Sequence, residues 1–319
     1  MNSAAPAKHA PAFTQDHVLG INHLENDDIE SILQLADYYA DRLDERAFRP
    51  DVLRGCVILS LFFEDSTRTR TSFEMAAKRL GADVVNIDVD SSSVKKGETL
   101  LDTVWTLQAM LRPDAIVIRH TEYGAPEYIA NRVDCPVVNA GDSWREHPTQ
   151  ALLDALTIRR ALGKIEGLKI AICGDIAHSR VASSNLQLLS RFGADLRIIA
   201  PAVLMPEKLP VDNVQKFDNM EDGLAGADIV MTIRLQKERM GKALISSDED
   251  YFRKFGLTMD RLNIAGPNAL AMDPGPFLRN VQIADDVADH PERSLILKQV
   301  RNGVPTRMAV FEKLLTRNT

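Results

Sequence analysis

Short apolar runs alternate with amphipathic helical patterns along most of the chain, and this alternation is typical of an α/β fold. In the first half, the spacing of apolar residues predicts a helix over residues 28–43, followed by strands and further helices in turn. The predicted strands lie at residues 56–63, 84–87, 115–118 and 136–139. Because helical patterns separate these strands, they are predicted to form a parallel sheet.

A second cycle of the same pattern follows a predicted helix at residues 148–162. Its apolar runs predict strands at residues 169–173, 196–199 and 229–232, and a last helix is predicted over roughly residues 291–315. We therefore predict two doubly wound parallel-sheet domains with the active site in the cleft between them. Since chain ends often lie close together, the expected domains are residues 1–147 plus about 295–319, and residues 148–294. Residues 1–15 lack periodicity, which predicts a loose arm.

Length and charge exclude several classes of protein. The chain has 319 residues, more than one hydrophobic core usually organises. Its formal net charge is -7 and no run of lysines or arginines occurs, so neither a nucleic acid nor an anionic membrane is expected as a partner. No apolar stretch approaches the roughly 18 residues of a membrane span, and the N-terminus lacks a signal-peptide core. We therefore expect a cytoplasmic protein.

The cysteines give no sign of metal or redox chemistry. Cys56, Cys135 and Cys173 stand singly in apolar, strand-like runs, without the paired spacing of zinc or disulfide motifs. They are interpreted as reduced core residues, and no metal site is predicted.

Polar residues that follow the predicted strands are the expected place for chemistry in an open α/β sheet. After the strand at residues 56–63, an amphipathic helix begins within the sequence Ser66-Thr67-Arg68-Thr69-Arg70. The free N–H groups of a first helical turn, the helix dipole, the hydroxyls and the guanidiniums all favour an anion, so this segment predicts a phosphate site. The alternative is a helix cap at Ser66 with surface arginines paired to Glu64 or Glu74.

Two more polar segments of the first half stand at similar places. Arg119-His120 follows the strand at residues 115–118, where side chains point into the crevice of the sheet. His147-Pro148-Thr149-Gln150 opens a helix, and Pro148 suits the first helical position. His147 and Gln150 are then able to donate to one ligand, although a buried capping histidine is an equal alternative.

In the second half, three polar segments each follow an apolar run: residues 174–180, 232–239 and 272–276. Alternation within the second segment is expected to aim Arg234 and Gln236 in the same direction, where they would clamp carboxylates. The first segment lacks GxGxxG spacing, which argues against a nicotinamide cofactor. The third is a rigid turn whose backbone groups are available to a ligand.

Taken in this order, the segments resemble the catalytic chains of the aspartate carbamoyltransferase family over nearly the whole body of the chain. Four motifs carry the resemblance: Ser-Thr-Arg-Thr-Arg-x-Ser-Phe-Glu at 66–74, Lys-Lys-Gly-Glu-Thr at 95–99, His-Pro-Thr-Gln at 147–150 and Arg-x-Gln-x-Glu-Arg at 234–239. The resemblance implies transfer of the carbamoyl group of carbamoyl phosphate to the amino group of L-aspartate, in de novo pyrimidine biosynthesis, without a metal or organic cofactor.

The resemblance also implies roles for individual residues. Carbamoyl phosphate is expected to be bound by Ser66, Thr67, Arg68, Thr69, Arg119, His147, Gln150, Gly275 and Pro276. Within that set, Thr69, Arg119 and His147 are expected at the carbamoyl oxygen and Gln150 at the carbamoyl nitrogen. The expected catalytic residues are Arg68, Thr69, Lys96, Arg119 and His147, and the aspartate ligands are Lys96, Arg180, Arg234 and Gln236.

Partners follow from the same resemblance. Ser92 and Lys96 match residues that the family contributes from a neighbouring subunit, so a homotrimer with shared active sites is expected. The resemblance leaves open further assembly with regulatory chains or with dihydroorotase.

The sequence departs from the family pattern at four positions. Asp273 replaces the histidine of a His-Pro-x-Pro turn, and Leu278 lies where an asparagine is frequent. Ser143 replaces a usual glycine and Ser183 a common arginine. A carboxylate near bound phosphate would repel it, but because that turn binds through its backbone, Asp273 is expected to point aside. The alternatives are ornithine or other amino-acid carbamoyl transfer, and a catalytically silent scaffold paralogue.

Overall fold

The computed structural model describes residues 11–88, 97–237 and 247–316. The chain forms two compact units. Unit 1 contains the described residues up to Leu156 and those from Asn302 onward, and unit 2 is Thr157–Arg301. The domain boundaries expected from the sequence, at residues 147 and about 295, stay a prediction.

Unit 1 is built on a four-stranded parallel sheet with strand order β2-β1-β3-β4. Its strands are β1 (Val57–Phe62), β2 (Asp83–Asp88), β3 (Ala115–His120) and β4 (Val137–Asp142). Its helices are α1 (Asn26–Arg42), α2 (Thr67–Arg79), α3 (Leu100–Leu111) and α4 (Ala125–Ala130). Nearly all residues of β1, β3 and β4 are buried, as parallel strands with both faces covered require.

Unit 2 is built on a five-stranded parallel sheet with strand order β7-β6-β5-β8-β9. Its strands are β5 (Lys169–Gly174), β6 (Asp195–Ile199), β7 (Gln215–Phe217), β8 (Ile229–Ile233) and β9 (Leu270–Met272). Its helices are α6 (Arg180–Arg191), α7 (Met220–Leu224), α8 (Asp248–Phe255), α9 (Met259–Ala265) and α10 (Asp285–Ala288). The prediction of two α/β units with parallel sheets is therefore confirmed.

Two helices include residues on both sides of a unit boundary. Helix α5 (Pro148–Leu162) passes the boundary after Leu156, and helix α11 (Ile296–Leu315) passes it after Arg301. The predicted start of the last helix near residue 291 is wrong. The backbone of residues 293–295 instead pairs with Ala271 of β9, whose N–H donates to Arg293 and whose carbonyl accepts from Leu295, and helical geometry begins only after that pairing.

The expected loose arm is also wrong for its last residues. Phe13 is buried, and the backbone N–H of Thr14 donates to the Asp28 carboxylate over 2.7 Å. Asp28 closes a capping box with Glu25 at the start of α1, so the segment is held by the polar groups that begin the first helix. Residues 1–10 lie outside the described part.

Candidate active site

The predicted phosphate segment lies at the start of α2, directly after β1. Ser66 is the N-cap residue, and its hydroxyl accepts the backbone N–H of Thr69 over 3.3 Å. Thr69 is buried, whereas Thr67 and Arg68 are exposed. A first helical turn that presents N–H groups, hydroxyls and a guanidinium to solvent is a ready anion site.

Arg119 lies at the end of β3, next to the end of β1. Phe62 is its register partner, and the N–H of Phe63 donates to the Arg119 carbonyl over 2.9 Å. The nearly buried guanidinium forms an ion pair with Glu64, with 2.7 Å between Nη2 and Oε1. Because β1 and β3 are adjacent, the sheet brings Arg119 to the same edge as the helix start at Ser66.

His120, which follows Arg119, uses one ring nitrogen as a hydrogen-bond acceptor. Its Nδ1 accepts the backbone N–H of Glu122 over 2.9 Å, and its ring packs on Phe63. Burial lowers the pKa of His120 below its ordinary value, while the charges of Glu122 and Glu64 oppose that shift. Burial therefore favours the neutral form of this imidazole.

His147 and Gln150 reach the same edge from the loop between β4 and α5. His147 immediately precedes α5 and is buried, and its carbonyl accepts the N–H groups of Gln150 and Ala151. The Nε2 of Gln150 donates to Oδ1 of Asp154 over 2.8 Å, and both side chains are buried. The strand order thus places the predicted residues at 66–69, 119, 147 and 150 at or after the carboxyl ends of three neighbouring strands, β1, β3 and β4.

A buried carboxylate shapes the loop that leads to His147. Asp142 accepts from the side chain of Asn139 and from the backbone N–H groups of Gly124 and Glu146, at 2.9–3.1 Å. Burial raises the pKa of Asp142 above its ordinary value despite these donors. Ser143 follows with a φ of 49°, which explains why a glycine suits this position: the left-handed backbone is strained for a residue with a Cβ.

The predicted aspartate ligands of unit 2 lie after β5 and β8, which are neighbours in the sheet. Arg180 is buried at the first position of α6, after the N-cap Ser179. Arg234 and Gln236 follow β8, and Nη2 of the arginine donates to Oε1 of the glutamine over 3.1 Å, as the predicted alternation requires. The Asp175 carboxylate accepts the backbone N–H of Gln236 over 3.0 Å, which ties this segment to the turn after β5.

The turn that carries Gly275 and Pro276 follows β9 and contains a cis peptide bond between those two residues. Asp273 is buried at its start, and its carboxylate accepts from the Gly275 N–H at 2.7 Å, the Thr232 hydroxyl at 2.6 Å and the Gln282 amide at 2.8 Å. These donors all belong to unit 2, so the carboxylate is held inside the unit.

The other two departures from the family pattern, Leu278 and Ser183, make hydrogen bonds to nearby residues of unit 2. Leu278 is exposed, and its N–H donates to Gln282 over 3.3 Å. Ser183 lies in the first turn of α6, where its hydroxyl and carbonyl accept from Gln187. Neither arrangement explains a change of ligand affinity.

Some predicted site residues lie outside the described part of the chain. Other predictions concern metal sites and membrane-spanning helices. Ser92 and Lys96 belong to the undescribed segment 89–96. Within residues 11–88, 97–237 and 247–316, no cluster of three or more His, Cys, Asp or Glu side chains is arranged to hold a metal ion. No helix in those ranges has the length and apolar character needed to cross a membrane.

Three carboxylates contact predicted site residues in ways that the sequence analysis does not predict. The sequence suggests Glu64 as a partner of the arginines at 68 and 70, whereas in the structure it forms an ion pair with Arg119. Asp175 contacts a segment about 60 residues away, for which the sequence carries no signal. Asp154 follows Gln150 by four residues, so helical spacing alone was a usable signal for that pair.

Comparison with known families covers both units. Residues 16–160 match the carbamoyl-P binding domain of the aspartate/ornithine carbamoyltransferases, and residues 166–314 match the Asp/Orn binding domain of the same family. The aspartate carbamoyltransferase catalytic subunit of Methylorubrum populi is 55% identical over 310 residues, covering 97% of this chain and 98% of that protein. The catalytic subunit of Granulibacter bethesdensis is 53% identical, covering 95% of each.

Solved structures agree with these relatives. Aspartate transcarbamoylase from Trypanosoma cruzi, crystallised with carbamoyl phosphate and aspartate, superposes with a TM-score of 0.85 at 31% identity, covering 96% of this chain and 98% of that one. The catalytic subunit from M. jannaschii gives a TM-score of 0.83 at 32% identity, covering 95% and 99%. This chain is a member of the aspartate/ornithine carbamoyltransferase family.

Proposed function

We propose that this protein is an aspartate carbamoyltransferase, which transfers the carbamoyl group of carbamoyl phosphate to the amino group of L-aspartate. The observation that carries the proposal is the coincidence of two facts. The chain is about 55% identical over nearly its full length to catalytic subunits of that name. In unit 1, a helix start that suits an anion, together with Arg119, His147 and Gln150, lies at or after the carboxyl ends of three neighbouring strands.

In the reaction, the uncharged amine of aspartate attacks the carbamoyl carbon, a C–N bond forms, and the C–O bond to phosphate breaks. The proton lost by the amine leaves with the phosphate. Negative charge grows on the carbamoyl oxygen and on the departing phosphate, so donors placed there stabilise the transition state more than the ground state. Thr69, Arg119 and His147 serve the oxygen, while the helix start at Ser66, Thr67 and Arg68 holds the phosphate.

The ion pair between Arg119 and Glu64 fits this role. A guanidinium at the carbamoyl oxygen must be held in a set direction, because a donor is effective only where the charge develops. Glu64 occupies one side of the Arg119 guanidinium and restricts its rotation. The carbonyl of Ala140 lies 3.5 Å from Nη1 and restricts it further.

Unit 2 supplies the amino-acid side of the proposal. Arg180, Arg234 and Gln236 offer guanidinium and amide donors, which match the two carboxylates of aspartate. The same donors have no use for the side-chain ammonium of ornithine, so we infer a preference for the dicarboxylate. Three hydrogen bonds of 3.1 Å within the segment 234–236 restrain these donors before a ligand arrives.

A steady-state assay of the purified chain tests the activity. With carbamoyl phosphate, we expect phosphate release and N-carbamoyl-L-aspartate formation with aspartate, and no carbamoylated product with ornithine. Product from ornithine alone would assign the chain to the other branch of the family. No product with either amino acid, together with no binding of a phosphonate-aspartate bisubstrate analogue by calorimetry, would favour the silent scaffold.

We further propose a homotrimer whose sites combine Arg68 of one subunit with Ser92 and Lys96 of its neighbour. Mixing tests this: Arg68→Ala and Lys96→Ala chains, each inactive alone, are combined, dissociated and reassembled in equal amounts. Random trimers then have both groups intact in about a quarter of their sites, so activity should return to roughly that fraction of wild type. Sites confined to one subunit would recover none.

The chemistry of the product indicates the pathway in which the protein acts. N-carbamoyl-L-aspartate is a precursor of the pyrimidine ring, so we propose that the protein acts in de novo pyrimidine biosynthesis in the cytoplasm. Assembly with regulatory chains or with dihydroorotase is tested by the mass of the complex recovered under native conditions.

A further inference from the structure

Asp154 lies directly behind Gln150 in the first turns of α5. The Gln150 Nε2 donates to Asp154 Oδ1 over 2.8 Å, and Asp154 is fully buried while Gln150 keeps 8% of its surface exposed. The pair is therefore arranged with the carboxylate inside unit 1 and the amide nearer its surface.

The identity of Asp154 determines how the Gln150 amide is turned. A carboxylate only accepts hydrogen bonds, so the amide must direct its NH2 group towards Asp154. The oxygen and nitrogen of a glutamine amide are nearly equal in size, and without a selective partner both orientations are accessible. With Asp154 in place, Oε1 of Gln150 is the atom left to meet a ligand donor.

A buried guanidinium interacts electrostatically with Asp154. Burial lowers the pKa of Arg307 to about 9, while the negative charge of Asp154 raises it and the positive charge of Arg119 lowers it. Arg307 lies over the ring of Phe73, 4.7 Å from its centroid, in α11.

We propose that Asp154 is a positioning residue that makes Gln150 present an oxygen to the substrate, and that this orientation selects an acyl phosphate bearing NH2 over one bearing a methyl group. The inference rests on the proposed function, which places the carbamoyl NH2 at Gln150. The NH2 donates to Oε1, whereas the methyl group of acetyl phosphate leaves that buried acceptor without a partner.

The test measures the preference between carbamoyl phosphate and acetyl phosphate in the full-length protein. The KM for carbamoyl phosphate is compared with the inhibition constant of acetyl phosphate as its competitor, in wild type and in Asp154→Asn. The asparagine side chain offers its own NH2, which allows the Gln150 amide to reverse. We expect the preference to fall about tenfold, the usual effect of one hydrogen bond, with most of the change in KM.

Three controls separate positioning from general damage. Inhibition by orthophosphate, which has no NH2 group to donate to Gln150, should stay the same in Asp154→Asn. Asp28→Asn changes an equally buried, hydrogen-bonded carboxylate in α1 and should leave the preference at its wild-type value. In a Gln150→Met background, Asp154→Asn should cause no further loss of preference, since the amide it orients is gone.

The outcomes distinguish this inference from the proposed function. If wild type makes no N-carbamoyl-aspartate, the proposed function fails. If wild type is active and Asp154→Asn keeps the full preference, or Gln150→Met keeps it, the inference is overturned alone. Should Asp154→Asn fail to fold, Asp154→Ser replaces it. A hydroxyl both donates and accepts, so it also allows the Gln150 amide to reverse. An unchanged preference in Asp154→Ser overturns the inference equally.

Discussion

Replacement of Asp273 by alanine gives the sharpest test of how unit 2 holds the turn that carries Gly275 and Pro276. In the wild type, the buried carboxylate accepts from the Gly275 N–H, the Thr232 hydroxyl and the Gln282 amide, at 2.6–2.8 Å. The backbone N–H of Asp273 itself donates to Gln299, a contact that alanine retains.

The expected loss of stability follows from those contacts. A buried donor left without an acceptor costs about 1–3 kcal/mol. The Thr232 hydroxyl keeps the Met272 carbonyl at 3.4 Å as an acceptor, so two donors, Gly275 N–H and Gln282 Nε2, lose theirs. Removal of the buried carboxylate also removes its own cost of burial, which offsets part of this loss. We expect a net decrease of about 3 kcal/mol in the free energy of unfolding.

Urea unfolding monitored by circular dichroism measures this decrease, with Asp273→Asn as the matched variant. Asparagine retains one oxygen for Gly275 and should cost less than alanine, about 1–2 kcal/mol. A loss below about 1 kcal/mol for Asp273→Ala would contradict the interpretation that this carboxylate holds the turn.

The Asp273→Asn variant also tests whether Asp273 repels bound phosphate. Since its oxygens accept from donors inside unit 2, removal of the negative charge should not tighten the binding of orthophosphate. An inhibition constant for orthophosphate that falls more than about threefold in Asp273→Asn would refute this reasoning and would show that the carboxylate faces the ligand.

Three further predictions concern other parts of the molecule. Arg68→Ala should lower kcat/KM by about 10² to 10³, because Arg68 supplies a donor to the phosphate. The urea midpoint should not shift, because Arg68 is exposed. Activity within about threefold of wild type would contradict this prediction. Gly174→Ala should destabilise unit 2 by about 3 kcal/mol or more, measured by urea unfolding, since φ is 132° and a Cβ would lie 2.1 Å from the Ile233 carbonyl oxygen. The three thiols should resist alkylation at pH 8 until urea unfolds the chain. Burial raises the pKa of Cys135 to about 11 and also raises the pKa values of Cys56 and Cys173. The reactive thiolate is therefore scarce in the native state. Rapid labelling of native Cys173 would count against the structure.

Much of the architecture could be predicted because its signals are local. Strand β1 and helix α2 are adjacent in sequence, and the apolar run, the cap at Ser66 and the helical spacing of Phe73 all lie within about 20 residues. The short elements of unit 2 were harder. Helices α9 and α10 have 7 and 4 residues, too few for a helical period to be visible, and β7 is a 3-residue strand that is largely exposed.

The sequence by itself determined the α/β alternation, the helix start that suits a phosphate, and the polar residues Arg119, His147 and Gln150 at strand and helix ends. Only the tertiary structure decided which groups contact the polar residues of the two units. Glu64 forms an ion pair with Arg119, and Asp175 accepts the backbone N–H of Gln236. Thr232 and Gln282 donate to the carboxylate of Asp273. The physical reason is that a carboxylate accepts from any donor, so its partner depends on which strands become neighbours. Strand order places distant residues together, and no local pattern records it.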